Sequence, residues 1–166
     1  SERLGCSSCH AGFLFGGAVR TATLQQAPQL VDTGLAPTPH DTGLARHTGN
    51  LADAYRFRVP SLRNVAVTAP YMHDGSLPSL DAVLTHYARG GAEGGTRRPG
   101  QADAVRGFLM DATERRQLLA FLEALTDRCF LANPTFADPW QPPPPAAPAC
   151  VQAPVRGSPS SPNASR

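Results

Sequence analysis

The sequence predicts a mainly α fold with long loops, and three observations lead to this prediction. Two segments, residues 77–91 and 111–127, carry apolar residues at helical spacing between recognisable start and stop signals. The sequence offers no convincing pair of strands. Residues 16–57 are rich in Gly, Thr, Pro, Ala and Asp and follow neither a helical nor a strand period, which is typical of a long loop.

The first strong helix is predicted within residues 77–91. Ser79 is a suitable N-cap, and the glycine pair at 90–91 provides the stop. His86 lies beside the apolar face of this helix. The face itself follows the i, i+3, i+4, i+7 spacing and consists of Leu80, Val83, Leu84 and Tyr87.

The second strong helix is predicted within residues 111–127. Asp111 and Glu114 have the spacing of a capping box, in which each side chain accepts a hydrogen bond from the other residue's backbone. Two shorter helices are expected over residues 1–15 and 61–65. The predicted buried stripe of the second helix consists of Leu118, Phe121, Leu122 and Leu125.

Length, charge and composition limit the classes of protein. The chain has 166 residues, which is enough for one domain with a real core. Its formal net charge of +2 provides no strong basic field for nucleic acid, and no apolar run is long enough to span a membrane. We expect a domain over residues 1–140 and a disordered Pro- and Ser-rich tail over residues 141–166. The chain begins inside a helical pattern without Met, so we expect a piece of a longer protein.

The motif CSSCH predicts covalent attachment of haem c. Cys6 and Cys9 are spaced so that both thiols reach the vinyl groups of one porphyrin, and His10 then lies beneath the iron as the proximal ligand. Structural zinc would require a second close pair of cysteines, but Cys129 and Cys150 are far apart in the chain. A thioredoxin-type pair would require a βαβ pattern, which is absent from the sequence. A disulfide between Cys129 and Cys150 in an oxidising compartment is left open.

The sequence leaves the second axial ligand of the iron open. Met72, in APYMHDGS, would give the thioether ligation of an electron-transfer cytochrome, or it would simply fill a gap in the core. Tyr87 would supply a hard anionic oxygen that lowers the reduction potential, or it would be an ordinary core tyrosine. The remaining candidates are His40, His47, His73, His86 and Met110.

Three segments together resemble the C-terminal haem domain of the bacterial di-haem cytochrome c peroxidases and their MauG relatives. They are SERLGCSSCHAGFLF, FRVPSLRNVAVTAPYMHDGSLPSLDAVLTHYARGG and TERRQLLAFLEALTD. The segment CFLANPTFADPW is most similar to the MauG-like enzymes associated with methanobactin operons. The resemblance covers about residues 1–140 and implies a cytochrome c-like haem domain.

The resemblance also implies roles for individual residues. Cys6 and Cys9 would hold the haem, His10 would be the proximal ligand, and Tyr87 matches the axial tyrosine of the MauG-like branch. Met72, the alternative ligand, would then be a core residue beside the HDG turn.

Further contacts are expected with the haem propionates and with a calcium ion. Arg58 and Arg63 could form charge-assisted pairs with propionates, or they could be surface arginines. Members of the resembled family bind calcium between their two haem domains, and the backbone oxygens of Thr68 and Pro70 match two of the ligands.

The resemblance implies an enzyme of which this chain is one half. The sequence has only one CxxCH, so the resemblance implies that the N-terminal haem domain, where peroxide would react, lies outside this chain, unless the protein is a single-haem relative. The chain would be the electron-transferring domain of a periplasmic MauG-like peroxidase that uses hydrogen peroxide to oxidise a protein partner. The alternatives are half of an ordinary di-haem peroxidase that takes electrons from a small cytochrome, and a single-haem carrier with His10 and Met72 as ligands.

Overall fold

The computed structural model describes residues 2–16, 19–20, 25–26, 29–35, 41–92 and 97–140. The predicted tail over residues 141–166 lies outside the described residues. The chain forms two compact units, Ser1–Thr126 and Asp127–Arg166. None of the helices in the described ranges is long and apolar enough to cross a membrane.

The N-terminal segment forms two 3-10 helices instead of the single helix that the sequence predicts. They are Glu2–Leu4 and Cys6–Ser8. Gly5 separates them because its φ of 73° lies in the left-handed region, which glycine adopts without steric cost. The second 3-10 helix ends at Cys9, directly before His10.

Residues 16–57 contain short strands, so the prediction that no strands pair is wrong. Strand β1 (Val19–Arg20) pairs antiparallel with β2 (Gln25–Gln26), and β3 (Leu30–Val31) pairs antiparallel with β4 (Phe57–Arg58). Each strand has only two residues, which is too short for an alternating pattern to appear in the sequence. The second pair ties residues 30–31, near the middle of the long loop, to the end of that loop.

Between these strands lie a short α-helix and a 3-10 helix. Helix α1 (Ala45–Thr48) is followed by the 3-10 helix Leu51–Asp53. Gly43, at φ +60°, precedes them at a point where the chain passes very close to Arg56. A Cβ atom at position 43 would lie 2.7 Å from the Arg56 carbonyl oxygen, so this approach requires glycine.

A 3-10 helix occupies Val65–Val67 and begins later than the helix predicted over residues 61–65. The side chain of Ser61 accepts a hydrogen bond from the Arg63 backbone N–H, which holds the preceding residues in a turn. Asn64, at φ 61°, then redirects the chain into the 3-10 helix.

Helix α2 (Leu80–Arg89) confirms the first predicted helix. The Ser79 hydroxyl accepts a hydrogen bond from the Ala82 N–H, as expected for the N-cap. Gly90, at φ 80°, ends the helix in the left-handed conformation. Leu84 is buried on the apolar face.

Helix α3 (Ala112–Ala124) confirms the second predicted helix and its capping box. The Asp111 carboxylate accepts from the Glu114 N–H, and the Glu114 carboxylate accepts from the Asp111 N–H. Leu122 is buried, but Phe121 keeps 44% of its surface exposed. The buried stripe of α3 is therefore narrower than the spacing of its apolar residues predicts.

A buried ion pair joins the segment after β3 to the loop before α3. The Arg98 guanidinium donates to both carboxylate oxygens of Asp32, at 2.6 and 2.8 Å, and also to the Leu35 carbonyl oxygen at 2.7 Å. The Asp32 side chain is almost fully buried. The Gly34 N–H also donates to this carboxylate, and the Tyr55 ring lies 4.9 Å from the guanidinium carbon of Arg98.

The second unit contains helix α4 (Arg128–Leu131) and the 3-10 helix Pro134–Phe136. Cys129 in α4 is disulfide-bonded. Cys150, with which the sequence pairs it as one alternative, lies outside the described residues.

Candidate haem site

The two motif thiols lie one turn apart at the N-terminal end of the first unit. Cys6 and Cys9 are free and half-buried. The His10 N–H donates to the Cys6 carbonyl oxygen at 2.9 Å, so the motif closes as a single helical turn. Burial raises the pKa of the Cys6 thiol.

The His10 ring lies against two backbone carbonyl groups, those of Phe15 and Pro60. Nδ1 lies 2.8 Å from the Phe15 carbonyl oxygen, which can only accept, so Nδ1 carries the proton and the neutral ring has its lone pair on Nε2. Loss of hydration lowers the pKa of His10, and the backbone carbonyls of Phe15 and Pro60 partly offset this effect. A neutral imidazole with a free Nε2 is the form that binds a metal.

The phenol of Tyr87 interacts electrostatically with the two motif thiols. Its side chain is half-buried, and loss of hydration at the phenol raises the pKa of Tyr87 to about 12. Negative charge on Cys9 and Cys6 adds smaller contributions in the same direction. The fold therefore brings Tyr87 within electrostatic reach of both motif thiols, although helix α2 lies far from the motif in sequence.

The end of helix α2 that carries Tyr87 is anchored by the long loop. The buried His86 ring donates from Nε2 to the Thr33 carbonyl oxygen at 2.9 Å. The Gly34 carbonyl oxygen accepts from the Ala92 N–H, also at 2.9 Å. The sequence places His86 beside the apolar face but contains no signal for this anchor, because Thr33 belongs to a segment without periodicity.

Met72 lies in a turn that a short bridge between Tyr71 and Leu77 closes. The Tyr71 N–H donates to the Leu77 carbonyl oxygen at 2.7 Å. Met72 is half-buried and has a φ of 71°, a rare conformation for a residue with a long side chain. The exposed His73 ring stacks on Phe57, with the ring centroids 3.7 Å apart.

Arg63 and Arg58, the predicted propionate contacts, have different surroundings. The Arg63 guanidinium donates to the Phe13 carbonyl oxygen at 2.8 Å and lies 4.3 Å from the centre of the Phe13 ring. Arg58 is exposed on β4. Contact of either residue with a propionate stays a prediction.

Thr68 and Pro70, the predicted calcium contacts, are exposed at the end of the 3-10 helix Val65–Val67. The Thr68 hydroxyl donates to the Val65 carbonyl oxygen at 3.0 Å. Across the ranges that the structure describes, no group of three or more His, Cys, Asp or Glu side chains could hold a metal ion. Calcium binding through backbone oxygens stays a prediction.

Comparisons with known proteins support a cytochrome c-like haem domain. Residues 57–91, which include Tyr87, match the RoxA-like, cytochrome c-like family. The methylamine utilization protein MauG of Methylorubrum extorquens is 37% identical over 124 residues, covering 74% of this chain and 31% of its own length. The cytochrome-c peroxidase IdrP1 of Denitromonas iodatirespirans is 32% identical over 164 residues, covering 86% of this chain and 43% of its own length.

A solved structure confirms the cytochrome c-like fold that the resemblance implies. It is the crystal structure of a MauG-like protein associated with microbial copper homeostasis. The match has a TM-score of 0.73 and 36% identity, and it covers 85% of this chain and 48% of that protein. The chain thus spans between 31% and 48% of the length of these relatives. On this evidence, the chain belongs to the family of MauG and the di-haem cytochrome c peroxidases.

Proposed function

We propose that the chain is the electron-transferring haem domain of a periplasmic MauG-like di-haem peroxidase. Cys6 and Cys9 would attach the haem covalently, which requires assembly outside the cytoplasm. His10 would bind the iron from one side and Tyr87 from the other, with Met72 as the alternative to Tyr87. A preceding haem domain would complete the enzyme, which would use hydrogen peroxide to oxidise a protein partner.

The position of Tyr87 carries this proposal. A haem held by Cys6 and Cys9 needs a second axial ligand from a distant part of the chain, and the phenol of Tyr87 lies within electrostatic reach of both thiols. His10 fits the proximal role, because its Nδ1–H donates a hydrogen bond to the Phe15 carbonyl oxygen, which puts the lone pair of the neutral ring on Nε2. The donor set of two free thiols, an imidazole and a phenol therefore suits a c-type haem.

Haem iron would supply one-electron redox chemistry at this site. The protein residues would set the conditions for it. Tyr87 would give up its proton to bind as a phenolate, a hard donor that favours the oxidised iron and lowers the potential. The exposed backbone at Thr68 and Pro70 would contribute oxygen ligands to a calcium ion shared with the preceding domain.

An ordinary cytochrome c peroxidase half is the second candidate function. The relatives named cytochrome c peroxidases favour it, among them the cytochrome c551 peroxidase of Pseudomonas aeruginosa, which is 43% identical over 81 residues. In that case a small reduced cytochrome would supply the electrons. Steady-state consumption of hydrogen peroxide by the full-length protein, with and without such a cytochrome, separates the two candidates.

The proposal is tested by optical and EPR spectra of the haem-loaded chain carrying Tyr87→Phe or Met72→Ala. We expect Tyr87→Phe to change the ferric spectrum and Met72→Ala to leave it unchanged. Tyr71→Phe is the matched control, because it also removes one half-buried phenol oxygen, which donates to the Val65 carbonyl oxygen. If only Met72→Ala changes the spectrum, the chain is a His/Met electron-transfer cytochrome and the proposal is wrong.

A further inference from the structure

Hydrogen bonds join two segments that are distant in the sequence and that each place a carbonyl group beside the His10 ring; we call this arrangement the clamp. The Ser61 hydroxyl donates to the Leu14 carbonyl oxygen at 2.6 Å, and Arg63 donates to the Phe13 carbonyl oxygen at 2.8 Å. The Ser61 hydroxyl also accepts a hydrogen bond from the Arg63 N–H at 3.1 Å, so the same hydroxyl contacts Leu14 and also holds the backbone of Arg63. These bonds hold residues 13–16 against residues 60–63.

The same clamp leaves no space between its two backbones. Gly16 is buried, and a Cβ atom at this position would lie 3.0 Å from both the Pro60 carbonyl oxygen and the Ser61 backbone. Real Cβ atoms rarely approach backbone atoms this closely, so only glycine fits here without displacement of the neighbouring chain.

Phe15 lies inside the clamp and provides the acceptor for His10. Its φ of 50° is in the left-handed region, which is costly for a bulky residue and persists only where the surroundings enforce it. This conformation accompanies the 2.8 Å contact between the Phe15 carbonyl oxygen and His10 Nδ1. The Phe15 ring is held separately by an edge-on contact with Phe121, with the ring centroids 5.7 Å apart.

We infer that Ser61 is a positioning residue that sets the electron donation of His10, by holding the Phe15 carbonyl oxygen on His10 Nδ1. This inference rests on the proposed function, because it takes His10 as an iron ligand. A hydrogen bond from Nδ1 to a carbonyl fixes the ring orientation and makes the opposite nitrogen a stronger donor, which stabilises ferric iron. Loosening the clamp therefore raises the midpoint potential.

The test is Ser61→Ala in the haem-loaded chain, with the midpoint potential and the ferric EPR spectrum as readouts. At a fixed applied potential, we expect the ferric-to-ferrous ratio to fall about threefold, which is about 30 mV for a one-electron couple. Ser61→Thr keeps the hydroxyl and should restore the original potential. Thr48→Ala is the matched control, because it removes a surface hydroxyl that donates to Asp53 at 3.0 Å.

The outcomes separate this inference from the proposed function. An unchanged potential in Ser61→Ala, or an equal shift in Thr48→Ala, overturns the inference. If Ser61→Ala does not take up haem, Gly16→Ala disturbs the clamp without changing a charge, because its Cβ would lie 3.0 Å from the Pro60 carbonyl oxygen, and this variant is judged by the same potential and the same control. His10→Ala tests the proposed function separately, because an unchanged iron spectrum in that variant would remove His10 as a ligand.

Discussion

Replacing Arg98 with methionine should strongly destabilise the chain, because it leaves the buried Asp32 carboxylate without its cation. The Asp32 side chain is only 1% exposed and that of Arg98 only 16%, so water cannot take over the lost interactions. Removal of one partner from a buried, doubly hydrogen-bonded ion pair costs about 3–5 kcal/mol. For a chain of this size, that corresponds to a fall in melting temperature of roughly 6–20 °C.

The neighbouring residue supplies a matched control for this prediction. Arg97 also forms an ion pair, with Asp103, but the Arg97 side chain is 40% exposed and that of Asp103 is 97% exposed. Arg97→Met should therefore reduce the free energy of unfolding by less than about 1 kcal/mol. The two variants differ by one position and carry the same substitution.

Urea unfolding of the haem-loaded chain measures both variants. The midpoint and slope give the free energy of unfolding, and an unchanged slope shows that the same surface is exposed. The reasoning is refuted if Arg98→Met loses no more stability than Arg97→Met. A double variant with Asp32→Leu should recover part of the loss, because no unpaired charge then stays buried.

Two further predictions concern backbone geometry and helix capping. Gly43→Ala should cost clearly more stability than Gly49→Ala. Both glycines have positive φ, which costs a residue with a Cβ about 1–2 kcal/mol, but only a Cβ at position 43 would also meet a carbonyl oxygen, at 2.7 Å. Thermal melts of the two variants measure the difference. Equal losses would contradict this. Asp111→Ala should remove the N-cap of α3 and lower the free energy of unfolding by about 1 kcal/mol. Urea unfolding measures this loss, and an unchanged free energy of unfolding would show that the capping box does not stabilise the chain.

The helices could be predicted from the sequence because their signals are local. Ser79 and Gly90 act within one turn of α2, and Asp111 with Glu114 acts within one turn of α3. Such caps depend on hydrogen bonds between residues three or four apart, so a single segment contains all the information. The CSSCH motif is local in the same sense, because its two thiols and its imidazole lie within one short segment, and for this reason the sequence alone predicts the haem.

The long loop could not be predicted because its structure depends on residues far away in the chain. The buried Asp32 is paired with Arg98, which lies 66 residues further along the chain. The strand pair between β3 and β4 likewise joins residues that are distant in sequence, such as Leu30 and Arg58. Contacts between residues so far apart produce no helical or strand periodicity in the sequence. The early start predicted for the helix over residues 61–65 has a similar cause, because the Ser61 side chain bonds to Leu14 instead of capping a helix.

The candidate haem site also combines residues that the sequence predicts with contacts that it does not. Cys6, Cys9 and His10 follow from the motif, whereas the choice between Tyr87 and Met72 needed the family resemblance. The Phe15 carbonyl was missed altogether, because a backbone acceptor leaves no mark on the residue type. A left-handed conformation at a phenylalanine also has no sequence signal, since the tertiary contacts impose it.

The anchoring of α2 has a consequence for how the site opens. A helix of ten residues does not persist by itself in water, so its last turn depends on the bonds from His86 to Thr33 and from Ala92 to Gly34. That turn and residues 33–34 of the long loop therefore unfold locally as one cooperative unit. The neighbouring ion pair between Asp32 and Arg98 raises the opening free energy of this unit, and so it also holds the part of α2 that carries Tyr87 in place.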